Sequence, residues 1–147
     1  MLVVFCFFAL PVKEAKALHA GAFLGPSFLS GGGTTTTDMT LGFDLAMNML
    51  PILELGGFYF RTPSVAQTMI GAEANIFPLI SHDLYIGGKI GDASLPSGNF
   101  LVVAPAVGFD YNLISSFLSV GVDASYYIFT SGSLKELSIL ANAKIWL

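Results

Sequence analysis

Seven charged residues stand where they could act together. Asp44, Glu54, Glu73, Asp110 and Asp123 are carboxylates, Lys89 and Lys144 are amines, and each interrupts a stretch that is otherwise apolar or small. Carboxylates enclosed with too few amines either form a satisfied hydrogen-bonded network or line a narrow path for protons or cations. Other chemistry is thinly supplied. The chain has two histidines, His19 and His82, and one cysteine, Cys6, which is a poor stock for a metal site. Ser81-His82-Asp83 holds the residue types of a serine hydrolase, but such residues are common in turns for turn chemistry alone. The Gly31-Gly32-Gly33 run is followed by threonines, not by a helix with lysine, so it is no phosphate cradle. The residues therefore imply no catalytic site, no cofactor and no metal.

The elements that must position those charges have a period of two, the strand period. Met39, Leu41, Phe43, Leu45, Met47 and Met49 share one face, and Thr40, Gly42, Asp44, Ala46 and Asn48 the other. Phe117 to Ile128 and Leu137 to Leu147 repeat the pattern. Weaker segments run over Leu18–Leu29, Ile52–Phe60, Thr68–Phe77, Asp83–Gly91 and Phe100–Asn112, so the sequence predicts eight strands. Most are longer than the five or six residues, roughly, of an ordinary strand, and they match the ~9–11 tilted residues that cross a bilayer. Residues 49–51, 78–82 and 112–116 read as tight links, whereas 30–38 (SGGGTTTTD), 61–67, 92–99 and 129–136 read as longer loops. Short turns at one end and longer loops at the other is the habit of outer-membrane barrels.

Composition points the same way. Of 147 residues 54% are hydrophobic and only 11% charged, less than half the roughly 25% of a soluble domain. The net charge of −4 repels phosphate backbones, which excludes a nucleic-acid partner. The longest charge-free apolar runs, Met1–Val12 and Phe100–Phe109, fall short of the ~18 residues of a spanning helix.

Parity decides which face looks inward. All seven charges share a face with Gly21, Gly25, Gly42, Gly56, Gly71, Gly87, Gly91, Gly108 and Gly121, and only Arg61 stands on the apolar face, at a loop end. So few charges would not solubilise a barrel exterior, whereas small residues among scattered charges suit a narrow interior. On the apolar face Phe28, Tyr59 and Tyr126 lie at loop ends, and Phe109 and Tyr111 at a turn end, as two aromatic belts at lipid–water boundaries would require. Pro26 and Pro105 fall within strands, where a bulge or strand end is expected. The expected fold is all-β, an eight-stranded antiparallel up-and-down transmembrane barrel with a polar lumen. A soluble lipocalin-like barrel with a greasy ligand is the rival, separable by placing Asp at Val120 or Leu45. A narrow barrel that passes small solutes is the third reading.

Met1–Val12 has the length of a secretory-signal core, and Ala15-Lys16-Ala17 supplies small residues for cleavage before Leu18. The expected division is a signal peptide over residues 1–17 and a barrel over 18–147. That barrel resembles the small bacterial outer-membrane barrels, the OmpA/OmpX-like group and the broader outer-membrane β-barrel domain family. The resemblance is architectural and carries no diagnostic motif. It implies residence in the bacterial outer membrane, contact with outer-membrane lipid and with the barrel assembly machinery, and a structural or surface-interaction role without catalysis. Members of that group usually end on an outward aromatic, whereas here Leu147 should face out and Trp146 in. The loops, SGGGTTTTD first, are the part left to meet a surface ligand or host molecule.

Overall fold

The computed structural model describes residues 18–78, 83–114, 117–130 and 133–147. The signal-peptide reading of residues 1–17, and Ser81 and His82, fall outside these. Among the described residues eight strands close a barrel in sequence order, each antiparallel to its neighbours. They are β1 (Leu18–Gly31), β2 (Thr34–Leu50), β3 (Leu53–Thr62), β4 (Gln67–Ile76), β5 (Leu84–Leu95), β6 (Gly98–Ile114), β7 (Leu118–Phe129) and β8 (Lys135–Trp146). Closure comes from β1 pairing with β8, His19 opposite Trp146 and Ser30 opposite Lys135.

The register fixes the shape. The outward row from Ile145 passes Ala20, Leu45, Gly57, Ala72, Ile90, Val103 and Ile128 and returns to β8 at Lys135, ten residues from its start. A shear of ten over eight strands tilts them about 40° from the axis and leaves an interior that side chains fill.

The strands reach further than the alternation suggests. SGGGTTTTD is not a loop: β1 continues to Gly31 and β2 starts at Thr34, opposite each other across Gly32 and Gly33. Those glycines have φ of 59° and 83°, the positive values that a primed two-residue hairpin turn demands at both positions. The threonines after them are β-branched and favour the strand. Likewise 92–99 is mostly β5 and β6, with Leu95 paired to Gly98. The expected contrast of tight links and long loops is therefore replaced by hairpins that extend at one end. That end, bearing the β1–β2, β3–β4, β5–β6 and β7–β8 connections, is called the loop end here, and the end with both termini of the barrel the turn end.

Neither proline makes a bulge or ends a strand. Pro26 pairs with Met39 of β2 while the β1–β8 ladder lapses at Gly25 and Pro26 and resumes in the same register. Pro105 pairs with Gly88 while the β6–β7 ladder lapses at 104–105 and resumes unshifted. Each proline lacks one N–H, so it interrupts one neighbour only and leaves the other intact. The register shifts lie near the turn end, at Asn48/Leu50 and Asn112/Ile114.

The faces are inverted relative to a soluble protein. Outward residues include Leu24, Phe43 and Ile70 at 55%, 55% and 60% exposure, and inward ones include the charged residues at no more than 6%.

Candidate functional site

Two regions gather chemistry-bearing groups, the barrel interior and the rim at the loop end. The inward positions of successive strands face one another across a narrow space, so residues distant in sequence meet there. The glycines make room: a Cβ at Gly21 would strike Asp44 and Lys144, one at Gly108 the ring of Tyr85, and one at Gly121 Asp110.

The turn-end half of the interior is ionic. His19 Nε2 lies 3.0 Å from Asp44 Oδ2, and its Nδ1 lies 3.2 Å from Glu54 Oε2. Its ring packs on Trp146 with centroids 4.7 Å apart. The Asn75 amide donates to Glu54 at 3.0 Å. Lys144 donates to Asp110 at 2.7 Å and stands 4.8 Å from the Tyr85 ring centroid. Asp123 accepts from Lys89 at 2.9 Å, from the Tyr85 hydroxyl at 2.8 Å and from Ser125 at 2.7 Å. Lys89 also reaches Glu73, at 3.8 Å.

Above Lys89 the filling changes. Its ammonium lies 5.1 Å from the Phe60 ring centroid, 5.9 Å from Phe23 and 6.0 Å from Phe58. These rings pack with Met69, Tyr127, Phe129 and Leu140 into an apolar cluster. Closer to the loop end a hydroxyl chain takes over: Thr62 to Thr40 at 2.6 Å, Thr40 to Ser27 at 2.7 Å and Ser27 to Ser138 at 2.7 Å. Ser138 then donates to Glu136 at 3.0 Å, which also accepts from the Gln67 amide at 2.6 Å.

All seven charged residues singled out in the sequence lie in this interior, and they do not form one cluster but three: Asp44 and Glu54 about His19, Asp110 with Lys144, and Glu73 and Asp123 about Lys89. Three participants escaped the sequence reading. His19, weighed in the sequence only as a scarce metal ligand, is fully buried between two of the carboxylates. It shares parity with Gly21 and Gly25, so the signal was present. The expected strands begin at Thr68 and Leu137, one and two residues later than β4 and β8 do, which leaves Gln67 and Glu136 in loops. Asn142, in contrast, is buried with neither amide atom hydrogen-bonded. Among the described residues, no three of His, Cys, Asp or Glu are grouped to hold a metal.

On the outside, Phe109 and Tyr111 are exposed towards the turn end, Tyr126 is exposed towards the loop end, and Phe28 and Tyr59 are half-buried there. Tyr59 stacks on Phe43, with centroids 5.7 Å apart. The loop-end rim carries Asp38, Arg61, Asp92 and Lys135 among the described residues, two of each sign and so no cationic patch.

No protein-family model matches the sequence, and no curated protein matches it. Solved structures do match in fold. The crystal structure of Neisserial surface protein A is similar over 88% of this chain and 97% of that one, with a TM-score of 0.71 and 14% identity. Ail, the attachment invasion locus protein of Yersinia pestis, crystallised with the heparin analogue sucrose octasulfate, is similar over 89% of this chain and 99% of that one, with a TM-score of 0.57 and 9% identity. A designed transmembrane β-barrel is similar over 90% of this chain and 98% of its own, with a TM-score of 0.54 and 16% identity. The shared feature is the fold, the closed eight-stranded antiparallel barrel.

Proposed function

We propose that this protein is an integral barrel of the bacterial outer membrane whose loop end faces outward and binds a partner, without catalysis. The inversion of its faces carries the reading. Large apolar side chains cover the outside of every strand, while ion pairs are enclosed within. Lipid satisfies such an exterior, and the closed barrel leaves no unpaired strand edge within the bilayer. A soluble lipocalin-like barrel would need the two faces exchanged. The surface-protein and attachment-protein neighbours support the same reading.

A binding role fits better than a conduit, because rings and hydroxyl chains fill the space above Lys89. It also fits better than an enzyme, since both ring nitrogens of His19 lie against buried carboxylates. Outer-membrane lipid and the assembly machinery are the partners that residence would bring. Ail was crystallised with a polyanion; the balanced rim here favours a different class of ligand.

The test is to refold the chain into detergent micelles and into lipid vesicles. Strand-rich circular dichroism, a boiled-versus-unboiled mobility shift on an SDS gel, and no stepwise conductance in planar bilayers are expected. A protein that stays soluble without detergent and shows no shift overturns the membrane reading, and steady single-channel steps overturn the closed lumen.

A further inference from the structure

The two register shifts near the turn end do the same thing. In β2, Asn48 pairs with Glu54 and Leu50 with Leu53, so Met49 is the extra residue of a bulge. In β6, Asn112 pairs with Ser119 and Ile114 with Leu118, and Leu113 is the extra residue. By strict alternation Leu50 and Ile114 would follow Asn48 and Asn112 inward. Across each bulge the parity flips instead, and they pair with Leu53 and Leu118, which share the outward face of their strands with Leu55 and Val120. Each hairpin thus sets two successive apolar side chains on the outside, Met49-Leu50 and Leu113-Ile114, and all four are exposed. Ile52 and Phe117, across the same turns, are exposed as well.

These residues complete a belt of definite height. Among the described residues the outward charges are Arg61, Asp92 and Lys135, all at the loop end. Arg61 stands opposite Leu41 and Asp92 opposite Leu101. From those levels down to the turns no outward position of β2 or β6 is charged. Leu41 to Leu50 and Leu101 to Leu113 span about 23 and about 30 Å of height, at a rise of ~3.3 Å per residue and a tilt of ~40°. They bracket the ~25 Å band that lipid covers on such barrels. A belt that stopped at Met47 and Phe109 would reach only about 15 and about 20 Å.

We propose that the turn end is a lipid-contact surface. Met49, Leu50, Ile52, Leu113, Ile114 and Phe117 lie within the phospholipid leaflet and form the lower edge of the belt. Lipid is the occupant selected, because this surface continues the lipid-facing wall without a polar break and the wall reaches bilayer thickness only when it is included. A protein partner would be met by a polar rim, and the described parts of these two turns carry no charged side chain. Anchored there, the barrel sits low. Thr34 is seven residues beyond Leu41, about 18 Å above the belt, so the polar hairpins of the loop end stand clear of the lipid. The inference rests on the membrane reading above and names the partner of the turn end.

The experiment uses the refolded full chain with Cys6→Ser in phosphatidylcholine vesicles, with bimane on one introduced cysteine at a time and iodide on both sides of the membrane. Leu50→Cys and Ile114→Cys should be quenched by phosphatidylcholine brominated near the headgroup, and quenched by iodide several-fold less than Thr35→Cys on the β1–β2 hairpin. Leu50→Asp with Ile114→Asp shortens the belt and should move the best refolding yield from longer-chain to shorter-chain phosphatidylcholine. The heat-dependent gel shift shows that each variant is folded. Iodide quenching at positions 50 and 114 equal to that at 35, or an unmoved chain-length optimum, overturns the proposal. So does bromolipid quenching that falls as the protein-to-lipid ratio rises, which would put a second copy on the turns. Leu45→Cys, in mid-belt, separates the two readings: if it too escapes the brominated lipid, the membrane reading fails, whereas quenching there without quenching at 50 and 114 removes the turn-end contact alone.

Discussion

The two halves of the interior have the same walls, the same strand parity and the same shear, yet they are filled by different physics. The turn-end half is built of ion pairs: His19 between Asp44 and Glu54, Lys144 on Asp110, Lys89 between Asp123 and Glu73. The loop-end half is built mainly of rings and hydroxyls, Phe23, Phe58 and Phe60 below and Thr62, Thr40, Ser27 and Ser138 above, with the one carboxylate Glu136 held by Ser138 and Gln67. Ionic groups in a closed space demand partners, and each one removed leaves another unpaired. Rings close the space by volume, and hydroxyls satisfy one another in a chain. Lys89 is the joint between the halves, a cation that faces two carboxylates on one side and three rings on the other.

The sharpest way to break this comparison is therefore Lys89→Met. Methionine matches the four-atom stem of lysine without its ammonium and packs well against rings, so the ring side loses little. The carboxylates of Asp123 and Glu73 lose their cation. Breaking a buried pair from one side costs about 3–5 kcal/mol, which denaturant unfolding in lipid vesicles should register. Adding Asp123→Asn should restore part of that loss. If the double variant is no better than the single, Lys89 acts through volume and the ionic description of the turn-end half fails.

A smaller effect is expected in the loop-end half. Ser138 joins Ser27 to Glu136, so Ser138→Ala detaches Glu136 from the hydroxyl chain and leaves it with the Gln67 amide alone. Leaving buried polar groups short of a partner costs about 1–3 kcal/mol. The same unfolding measurement checks it, and a loss as large as that of Lys89→Met would mean that the two halves are equally ionic.

Much of this contrast was legible in the sequence, and the reasons it was not fully so are instructive. Alternation identifies the faces because a side chain changes face at each residue, and this placed Asp44, Lys89 and Lys144 inward without any knowledge of register. The same rule covers His19 and Phe23, whose parity matches Gly21. What alternation does not supply is height. Whether Lys89 meets Asp123 or Asp110, and whether Phe58 and Phe60 sit above or among the charges, depends on strand pairing and shear. Strand ends were also hidden. Four threonines after three glycines have a loop's composition, yet two glycines at positive φ make a tight hairpin and the threonines extend a strand. The loop composition thus hides the upper half of β2, and a strand begun at Leu137 hides Glu136.

The smallest expected effect contrasts the inside with the outside. Glycines occur on both faces, but only the inward ones are held by sterics. A Cβ at Gly42 would run into Phe60 and the Tyr59 carbonyl, whereas among the described residues the nearest atom to a Cβ at Gly88 is the Ala104 carbonyl oxygen, 3.8 Å away. Gly88 borders an outward hollow with Ala72, Ala74 and Pro105, and nothing in the packing requires glycine there. Gly88→Ala should leave stability unchanged or raise it by up to about 1 kcal/mol, because alanine narrows the unfolded ensemble and its strand conformation needs no strain. Gly42→Ala, in contrast, overpacks the interior and should cost about 1–3 kcal/mol. Both are read from unfolding midpoints in the same vesicles. A loss at Gly88 as large as that at Gly42 would mean that the outward hollow is filled by something the wall must fit closely, and that the two faces obey one packing rule.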